Sequence, residues 1–368
     1  MRSLASLLTA LLLAACGAPA APSGSQGPGS GRQAAPNAQA AGASATTAAA
    51  RALPDGISAL VDAARREGRV VTYGVTSTPA DEDAMRRAFR DFYGFDLELS
   101  FESGLHPQKV AELLAAARSG VRSGIDLFWS SELILNDLDH GGLLQDGTWL
   151  EPLGLSSENL MMHGKGARVH DSFLVNVLYN TQQVSATDAP HRYQDLLQPR
   201  WQGAIVAPRT PSQMVFLTFL YGEDAVTELA QGLVRQRIAF VPTYPDATGR
   251  VASGEYLLGM GQNAEREARR GAPLADAPLD VAIVVPWAVS LMTDAEHPAA
   301  ATLLAYFLTQ PEGQRAIDQT WANSLASSPD TSAWRVAQGK QLVQPTLDWL
   351  ERDEARLRAK YADILGIR

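Results

Sequence analysis

The chain of 368 residues has a single cysteine, Cys16. One thiol excludes an intramolecular disulfide and a zinc site built from several cysteines. A folded body without disulfides depends on the burial of apolar side chains. Hydrophobic residues make up 46% of this chain, which is enough for one or two large cores.

Long apolar segments and basic clusters are missing as well. Beyond the first 16 residues, no segment has the roughly 20 consecutive apolar residues that a membrane-spanning helix needs. The 40 acidic residues outnumber the 31 lysines and arginines. Because there is also no stripe rich in Lys and Arg, nucleic acid is excluded as an expected partner.

Sequence signatures of common catalytic and metal sites are absent too. The chain has no G-x-S-x-G elbow, no HExxH pair and no P-loop. The histidines lack metal-site spacing, and we interpret His163 and His170 as surface or core residues with ordinary hydrogen-bond partners. We therefore expect no cofactor, no resident metal and no enzymatic activity.

The N-terminal residues have the layout of a bacterial secretory signal. Arg2 precedes an apolar stretch at residues 4–15, which ends in the small residues before Cys16. The sequence LAAC at 13–16 resembles the lipobox of bacterial lipoproteins, whose cysteine thiol receives a diacylglycerol. We predict a lipoprotein signal peptide at residues 1–16 and lipidation at Cys16. The alternative, a buried or membrane-spanning helix, would need a longer apolar stretch.

Residues 17–52 consist mainly of Ala, Gly, Pro, Ser, Gln and Thr, with Arg32 and Arg51 as the only charges. Such a segment has too little apolar bulk to offset its ordering entropy. We interpret it as a flexible linker between the lipid and a folded body that begins near Leu53. A tail without function is the alternative.

The rest of the chain alternates between helix and strand patterns. In the first half, strands are predicted at residues 70–74, 95–101 and 125–129, with helices between them. In the second half, strands are predicted at residues 172–179, 203–207 and 238–241, and helices at 214–221 and 223–236. This alternation predicts an α/β fold with parallel, doubly wound sheets.

Polar residues follow the predicted strands of the first half, where ligands of such sheets collect. Their hydroxyls and the free amides of the next helices can face one crevice. The candidate ligand-binding residues at these strand ends are Thr76, Ser77, Ser103, Gly104, Ser130 and Ser131.

Several motifs resemble those of extracellular solute-binding proteins of family 1, of the ferric-iron and 2-aminoethylphosphonate type, which serve ABC importers. The sequence VLYNT at 177–181 is similar to the family's crossover segment, and YQDLLQPRWQG at 193–203 to its DLLDPRWKG signature. SGE at 253–255 and HPAAA at 297–301, followed by FL and PEGQ at 307–314, match further elements. The resemblance extends over nearly all of residues 70–318.

The resemblance implies a type II periplasmic-binding-protein-like fold with two α/β lobes and a hinge of two crossovers. We expect the crossovers near residues 172–180 and 278–286. Lobe I would comprise residues 53–175 and 281–368, and lobe II residues 176–280. The resemblance also implies a monomer, without enzymatic activity, that holds its ligand between the lobes.

One departure from the family pattern bears on the ligand. Iron-binding members hold Fe³⁺ with two neighbouring tyrosines shortly after the SGE element, whereas residues 259–266 of this chain contain no tyrosine. Fe³⁺ prefers anionic oxygen ligands, and Tyr244 and Tyr256 do not replace an adjacent pair. We therefore expect a small polar ligand other than bare ferric ion.

Six further residues are candidates for ligand binding. Arg209, Thr210 and Ser212 combine a guanidinium with hydroxyls, which suits a phosphonate, a phosphate ester or a carboxylate. Arg209 can equally be a surface residue paired to an acid. Glu255 can bind a ligand amine, a helix end or a hinge residue, and Tyr244 and Trp287 can wall the pocket or belong to the core.

The predicted function is that of a substrate-binding lipoprotein of an ABC importer. It would capture a small anionic or zwitterionic solute and deliver it to a membrane permease, from the periplasmic or extracellular side of a bacterial membrane. A ferric-ion or ferric-chelate carrier of the same class and a ligand-sensing lipoprotein for a membrane receptor are the alternatives. Enzymes of related fold need a cysteine in the cleft, and the only cysteine here is assigned to the lipid.

Overall fold

A computed structural model describes residues 53–173, 176–261 and 263–367. The predicted signal peptide with Cys16 and the linker at 17–52 lie outside these residues. The helices are α1 Asp55–Glu67, α2 Pro79–Tyr93, α3 His106–Arg118, α4 Glu132–His140, α5 Ser212–Tyr221, α6 Glu223–Arg235, α7 Tyr244–Ala252, α8 Glu265–Arg269, α9 Pro298–Thr309, α10 Pro311–Trp321, α11 Ser332–Ala337 and α12 Leu347–Leu365.

The strands are β1 Arg69–Tyr73, β2 Glu98–Glu102, β3 Leu127–Ser131, β4 Leu160–Met161, β5 Gly166–Ser172, β6 Asn176–Asn180, β7 Ile205–Pro208, β8 Ala239–Val241, β9 Leu258–Gly261, β10 Leu274–Asp276, β11 Val281–Ile283, β12 Val285–Leu291 and β13 Gln341–Val343. Short 3₁₀ turns connect several of them, the longest at Gly147–Leu153. The alternation of helix and strand predicted from the sequence is confirmed in both halves.

The first sheet has six strands in the order β2-β1-β3-β12-β5-β4. β1 pairs in parallel with β2 and β3, whereas β12 runs antiparallel to β3 and β5. Helix α9, which is apolar on all sides, is buried beneath this sheet with α1 and α10 around it. Phe89, Trp129 and Phe307 are fully buried in the resulting core, so we call this body the first lobe.

The second sheet has five strands in the order β10-β6-β9-β7-β8. β7 is parallel to β8 and β9, and β6 is antiparallel to β9 and β10. Helices α5 and α6 cover one face because α5 is apolar and α6 presents an apolar stripe. This body, the second lobe, has its own core around Val177, Tyr193 and Leu258.

The chain passes between the two sheets twice. β5 ends at Ser172 in the first sheet and β6 begins at Asn176 in the second. The return runs from β10, in the second sheet, to β12, in the first. Between them β11 pairs in parallel with β13, which forms a separate two-stranded sheet.

The C-terminal helix α12 differs from the predicted division into lobes, which assigns it to lobe I. Leu357, Tyr361 and Leu365 of α12 are buried in the core of the second lobe, where α12 packs on α5 and α6. The Tyr361 hydroxyl is 2.7 Å from Thr218 Oγ1 of α5. With its apolar stripe, α12 thus joins α5 and α6 in covering the second sheet. β13 lies between α11 and α12 along the chain.

Within the described residues, no helix combines the length and the apolar character needed to cross a bilayer.

Candidate ligand-binding cleft

A cavity of about 580 Å³ lies between the carboxyl ends of strands of the two sheets. Its volume is within the range of small-molecule sites. The first lobe contributes Gly74, Val75, Thr76, His170, Ser172, Trp287, Ile317, Trp321 and Asn323. The second lobe contributes Pro208, Thr210, Pro242, Thr243, Tyr244, Pro245, Asn263 and Arg266. We refer to these two sets as the first wall and the second wall of the cleft.

Aromatic rings fixed by the core form much of the first wall. His170 on β5 stacks on Trp287 of β12, with ring centroids 5.0 Å apart. Behind His170, the fully buried Trp129 donates its Nε1–H to His170 Nδ1 at 2.9 Å. Trp129 also contacts Trp321, whose ring centroid is 5.5 Å away. The wall is therefore rigid and largely apolar.

His170 is held as a neutral imidazole of one tautomer. Burial lowers its pKa to about 3, and the neighbouring Arg168 adds to the effect. Because the indole of Trp129 can only donate, His170 Nδ1 accepts and the ring proton lies on Nε2. This lining residue therefore carries an N–H donor at Nε2.

Gly74 sets the floor of the cleft where β1 ends. Its φ is 143°, and a Cβ atom at this position would lie 1.8 Å from the carbonyl oxygen of Trp129. Only glycine allows this close approach. The chain then turns through Val75 to Thr76, whose carbonyl oxygen accepts a 3.1 Å hydrogen bond from Trp321 Nε1.

The second wall is built on loops and helix starts. At the start of α7, Thr243 and Asp246 form a capping box, which presents Tyr244 to the cleft. Burial raises the pKa of Tyr244 to about 12, despite the opposing effect of Arg358. Its phenol therefore stays protonated at neutral pH.

Arg266 on α8 is the only charged side chain that lines the described cleft. One of its terminal nitrogens lies 3.4 Å from Asp81 Oδ2 of α2 in the first lobe. Asp81 also accepts from the backbone N–H of Thr78 at the start of α2. Arg266 Nε is buried and has no hydrogen-bond partner among the described residues. The guanidinium is thus the cationic donor group of the described lining.

Residues of α8 and the loop before it connect the two lobes beside the cleft. Arg269 donates to Asp318 Oδ2 at 2.7 Å and to the Asp318 carbonyl at 2.8 Å. Glu265 pairs with Arg335 at 3.0 Å, and Asn263 Nδ2 donates to the Ala322 carbonyl at 3.2 Å. These contacts link the two lobes directly.

The structure brings together four of the predicted site residues: Thr76, Thr210, Tyr244 and Trp287 all line the cleft. Ser131 and Ser212 instead line a smaller cavity of about 180 Å³ on another side of Trp287. Thr210 Oγ1 and Ser212 Oγ are 2.8 Å apart, so the loop reaches both cavities.

The other strand-end residues lie outside the cleft lining, and several already have partners. The Ser130 hydroxyl bonds His106 Nδ1 at 3.0 Å, and Ser77 donates to Glu82 at 2.8 Å. Ser103 and Gly104 are exposed on the loop after β2. Of the three strand-end loops, only the loop after β1 contributes to the described cleft lining. After β3, His106 bonds the Ser130 hydroxyl.

Arg209 and Glu255 also lie outside the cleft lining. Arg209 is exposed, between the lining residues Pro208 and Thr210. Glu255 pairs with Arg250 at 2.7 Å at the end of α7. The structure therefore supports the helix-end alternative for Glu255.

The lining residues that sequence reasoning missed include His170, Trp321 and Arg266. Arg266 ends the segment 259–266, where iron-binding members carry their tyrosine pair. Its position in a ligand-binding segment of the family could have marked it as a candidate. His170 has an ordinary hydrogen-bond partner at Nδ1, as expected. The sequence did not indicate that the same residue also lines the cleft. Trp321 ends α10, seven residues beyond the PEGQ motif with which that helix begins.

Among the described residues, no cluster of three or more His, Cys, Asp or Glu side chains could hold a metal ion. The lining of the cleft within that part of the chain includes one histidine, one protonated phenol and no carboxylate. Hard cations such as Fe³⁺ would find few anionic oxygen ligands in it.

Residues 121–351 match the family described as "Bacterial extracellular solute-binding protein". The match covers more than half of the chain. The chain belongs to this family. The solute-binding protein thus has the fold and the interlobe cleft that its sequence motifs predict, in a family of binding proteins rather than enzymes.

Solved structures with the same fold share little sequence with this solute-binding protein. Iron-bound HitA from Pseudomonas aeruginosa is 18% identical, with a TM-score of 0.59 over 81% of this chain and 97% of HitA. A periplasmic thiamin binding protein is 13% identical, with a TM-score of 0.63 over 81% and 96%. AfuA from Actinobacillus pleuropneumoniae, with fructose-6-phosphate bound, is 18% identical, with a TM-score of 0.57 over 82% and 99%.

These three neighbours bind chemically different ligands, so the fold alone does not identify the ligand. A comparison with curated protein sequences gives no significant match.

Proposed function

We propose that this protein captures a small solute carrying a negative charge between its lobes and presents it to the permease of an ABC importer. The single observation that carries the proposal is the composition of the cleft. Both lobes line it, Arg266 is the only charged residue in the described lining, and no acidic side chain opposes it there.

Capture would operate by a shift of population between open and closed forms. A solute that contacts Trp287 and His170 on one lobe and Arg266 on the other makes its full set of contacts only when the lobes are closed. A micromolar ligand corresponds to about 8 kcal/mol, which several hydrogen bonds and one charge contact can supply. The closed form would then be the one that a permease recognises.

The proposed place of action is the outer side of a bacterial membrane. The signal-like residues 1–15 would direct export, and Cys16 would carry the lipid. Two acyl chains anchor a protein stably, because each buried CH₂ contributes about 0.8 kcal/mol. Residues 17–52 would then let the lobes reach a permease.

The test is a thermal-shift screen on the full chain carrying Cys16→Ser, with phosphonates, carboxylates, sugar phosphates, polyamines, thiamin and ferric salts. A ligand at 100 times its dissociation constant should stabilise the protein by about 2.7 kcal/mol. Small-angle scattering on each hit should show a more compact particle if the lobes close on it.

The outcomes separate this proposal from the ferric alternative. A hit among the anions with compaction supports it. A red colour with Fe³⁺, from phenolate-to-iron charge transfer, would support an iron carrier instead. Stabilisation only by polyamines or another cation would contradict the charge argument.

A further inference from the structure

We infer that the solute is a planar organic anion: an aromatic or heteroaromatic ring that carries a carboxylate, phosphate or phosphonate group. This inference rests on the proposed function and narrows it to a ligand class. Three observations on the cleft support it: hydrogen-bond donors without protein acceptors, flat apolar surfaces, and a lining with one cation and no carboxylate.

The first observation is that lining residues hold hydrogen-bond donors without acceptors. Arg266 Nε and Trp287 Nε1 are buried and have no partner among the described residues. His170 Nε2–H is a further donor group of the lining, since Nδ1 accepts from Trp129. Unsatisfied buried donors are costly, so a ligand rich in acceptor atoms would be favoured here.

The second observation is the shape of the surfaces that the donors stand on. On the first wall, His170 and Trp287 are stacked at an interplanar angle of 28°, and Trp321 lies beyond Trp129. On the second wall, Tyr244 lies among Pro208, Pro242 and Pro245. Aromatic and proline rings on both sides favour a flat guest, which can stack on them.

The third observation concerns charge. The described lining has one cation and no carboxylate, and Asp81 touches Arg266 from outside the lining at 3.4 Å. A cationic ring would meet the Arg266 guanidinium with no carboxylate in the described lining to balance it, whereas an anion would form a charge-assisted hydrogen bond with that guanidinium. A bulky saturated anion would keep that bond but lose the stacking.

The experiment measures affinities by calorimetry on the full chain carrying Cys16→Ser. The planar anions are benzoate, naphthalene-2-carboxylate and phenylphosphonate. Benzamide tests the need for charge, benzylamine tests its sign, and cyclohexanecarboxylate tests planarity. We expect the planar anions to bind about 10- to 100-fold more tightly than benzamide or benzylamine. Benzoate should exceed cyclohexanecarboxylate by about 3- to 10-fold.

Variants assign these preferences to residues. Arg266→Met keeps the side-chain length and should lower the affinity for all three anions about 10- to 100-fold. The matched control is Arg235→Met, because Arg235 is an exposed cation on α6 of the same lobe and does not line the cleft; its affinities should stay within twofold. Trp287→Leu should remove the preference for benzoate over cyclohexanecarboxylate. Thermal unfolding of each variant shows whether it folds.

The results distinguish failure of this inference from failure of the proposed function. Compaction and tight binding with fructose-6-phosphate or ferric citrate, but not with a planar anion, would overturn the inference and leave solute capture intact. Equal binding of benzoate and benzylamine, or unchanged anion affinity in a folded Arg266→Met protein, would overturn it too. If no solute of any class bound at millimolar concentration, the proposed function itself would fall.

Discussion

The two walls of the cleft differ in how they are built. The first wall stands on the central strands of a sheet, and its ring of His170 is held from behind by the buried Trp129. The second wall stands on a capping box at Tyr244 and on the short helix α8 with Arg266. The first wall therefore fixes the shape of the site, and the second wall supplies its charged side chain.

This difference separates two tasks within one binding site. A preformed apolar surface loses little conformational entropy when a ligand docks on it. A charged side chain on a short helix can instead join the ligand as the lobes close, and so couple binding to closure. Four sets of variants test the contrast, in order of decreasing expected effect.

The largest effect is expected for Trp129→Phe, which attacks the first wall from behind. The substitution leaves His170 Nδ1 buried without a donor and opens a small cavity. The free energy of unfolding should fall by about 2–4 kcal/mol, as measured by denaturant unfolding. The partly exposed Trp334→Phe is the control and should cost less than about 0.5 kcal/mol. Equal losses in both would mean that the first wall is not supported from the core.

Arg269→Met should loosen the attachment of α8 to the first lobe. Burial alone would raise the pKa of Asp318, but hydrogen bonds from Ser332 and Arg269 hold that pKa below its usual value. The exposed position of Arg269 limits the expected loss of stability to about 1 kcal/mol. Scattering should show a larger radius of gyration for the ligand-free protein. Arg270→Met removes an ion pair with Glu267 within the second lobe and should leave the radius of gyration unchanged. The same expansion in both variants would contradict the role of Arg269 in linking the lobes.

Asp276→Asn tests the hinge behind the walls. Burial raises the pKa of Asp276 to about 6; Lys340 and the hydrogen bonds from the Ala264 amide and Asn176 lower it, and Glu265 raises it. The folded state thus holds this proton more tightly than the unfolded chain, whose aspartate pKa is about 3.9. The resulting stabilisation is complete below about pH 4 and is lost as the pH rises through 6.

Asparagine keeps an acceptor for the Asn176 side chain and the Ala264 amide, which now bond Asp276 Oδ1 at 2.6 and 2.7 Å. The variant should therefore be about 1 kcal/mol more stable than the parent at pH 7.5, and its stability should vary less between pH 4 and 7. Denaturant unfolding at several pH values measures both. A less stable variant at pH 7.5 would show that the charge of Asp276, paired with Lys340, stabilises the hinge.

The smallest effects are expected for Arg209→Gln and Glu255→Gln, which remove predicted site residues that do not line the cleft. Stability should change by less than about 0.5 kcal/mol, and ligand affinity by less than twofold in calorimetry. A large loss of anion affinity in Arg209→Gln would move the charged contact from α8 to the loop after β7.

The sequence allowed the elements and the fold to be predicted because these depend on local patterns and on motifs in a fixed order. The cleft was harder, since its lining depends on how distant segments meet. Ser130 lies within the carboxyl end of β3 and not after it, and His106 of α3, the helix before β3, bonds its hydroxyl. Arg266 lies about 180 positions from Asp81, and no local pattern indicates that they meet.

The C-terminal helix offers a practical consequence for a biosensor. Because α12 packs on α5 and α6, a dye attached at the exposed Asp363 would move with the second lobe. A second dye at the exposed Glu158, in the turn before β4, would move with the first. Energy transfer between such a pair would report lobe closure directly, so candidate solutes could be ranked one molecule at a time.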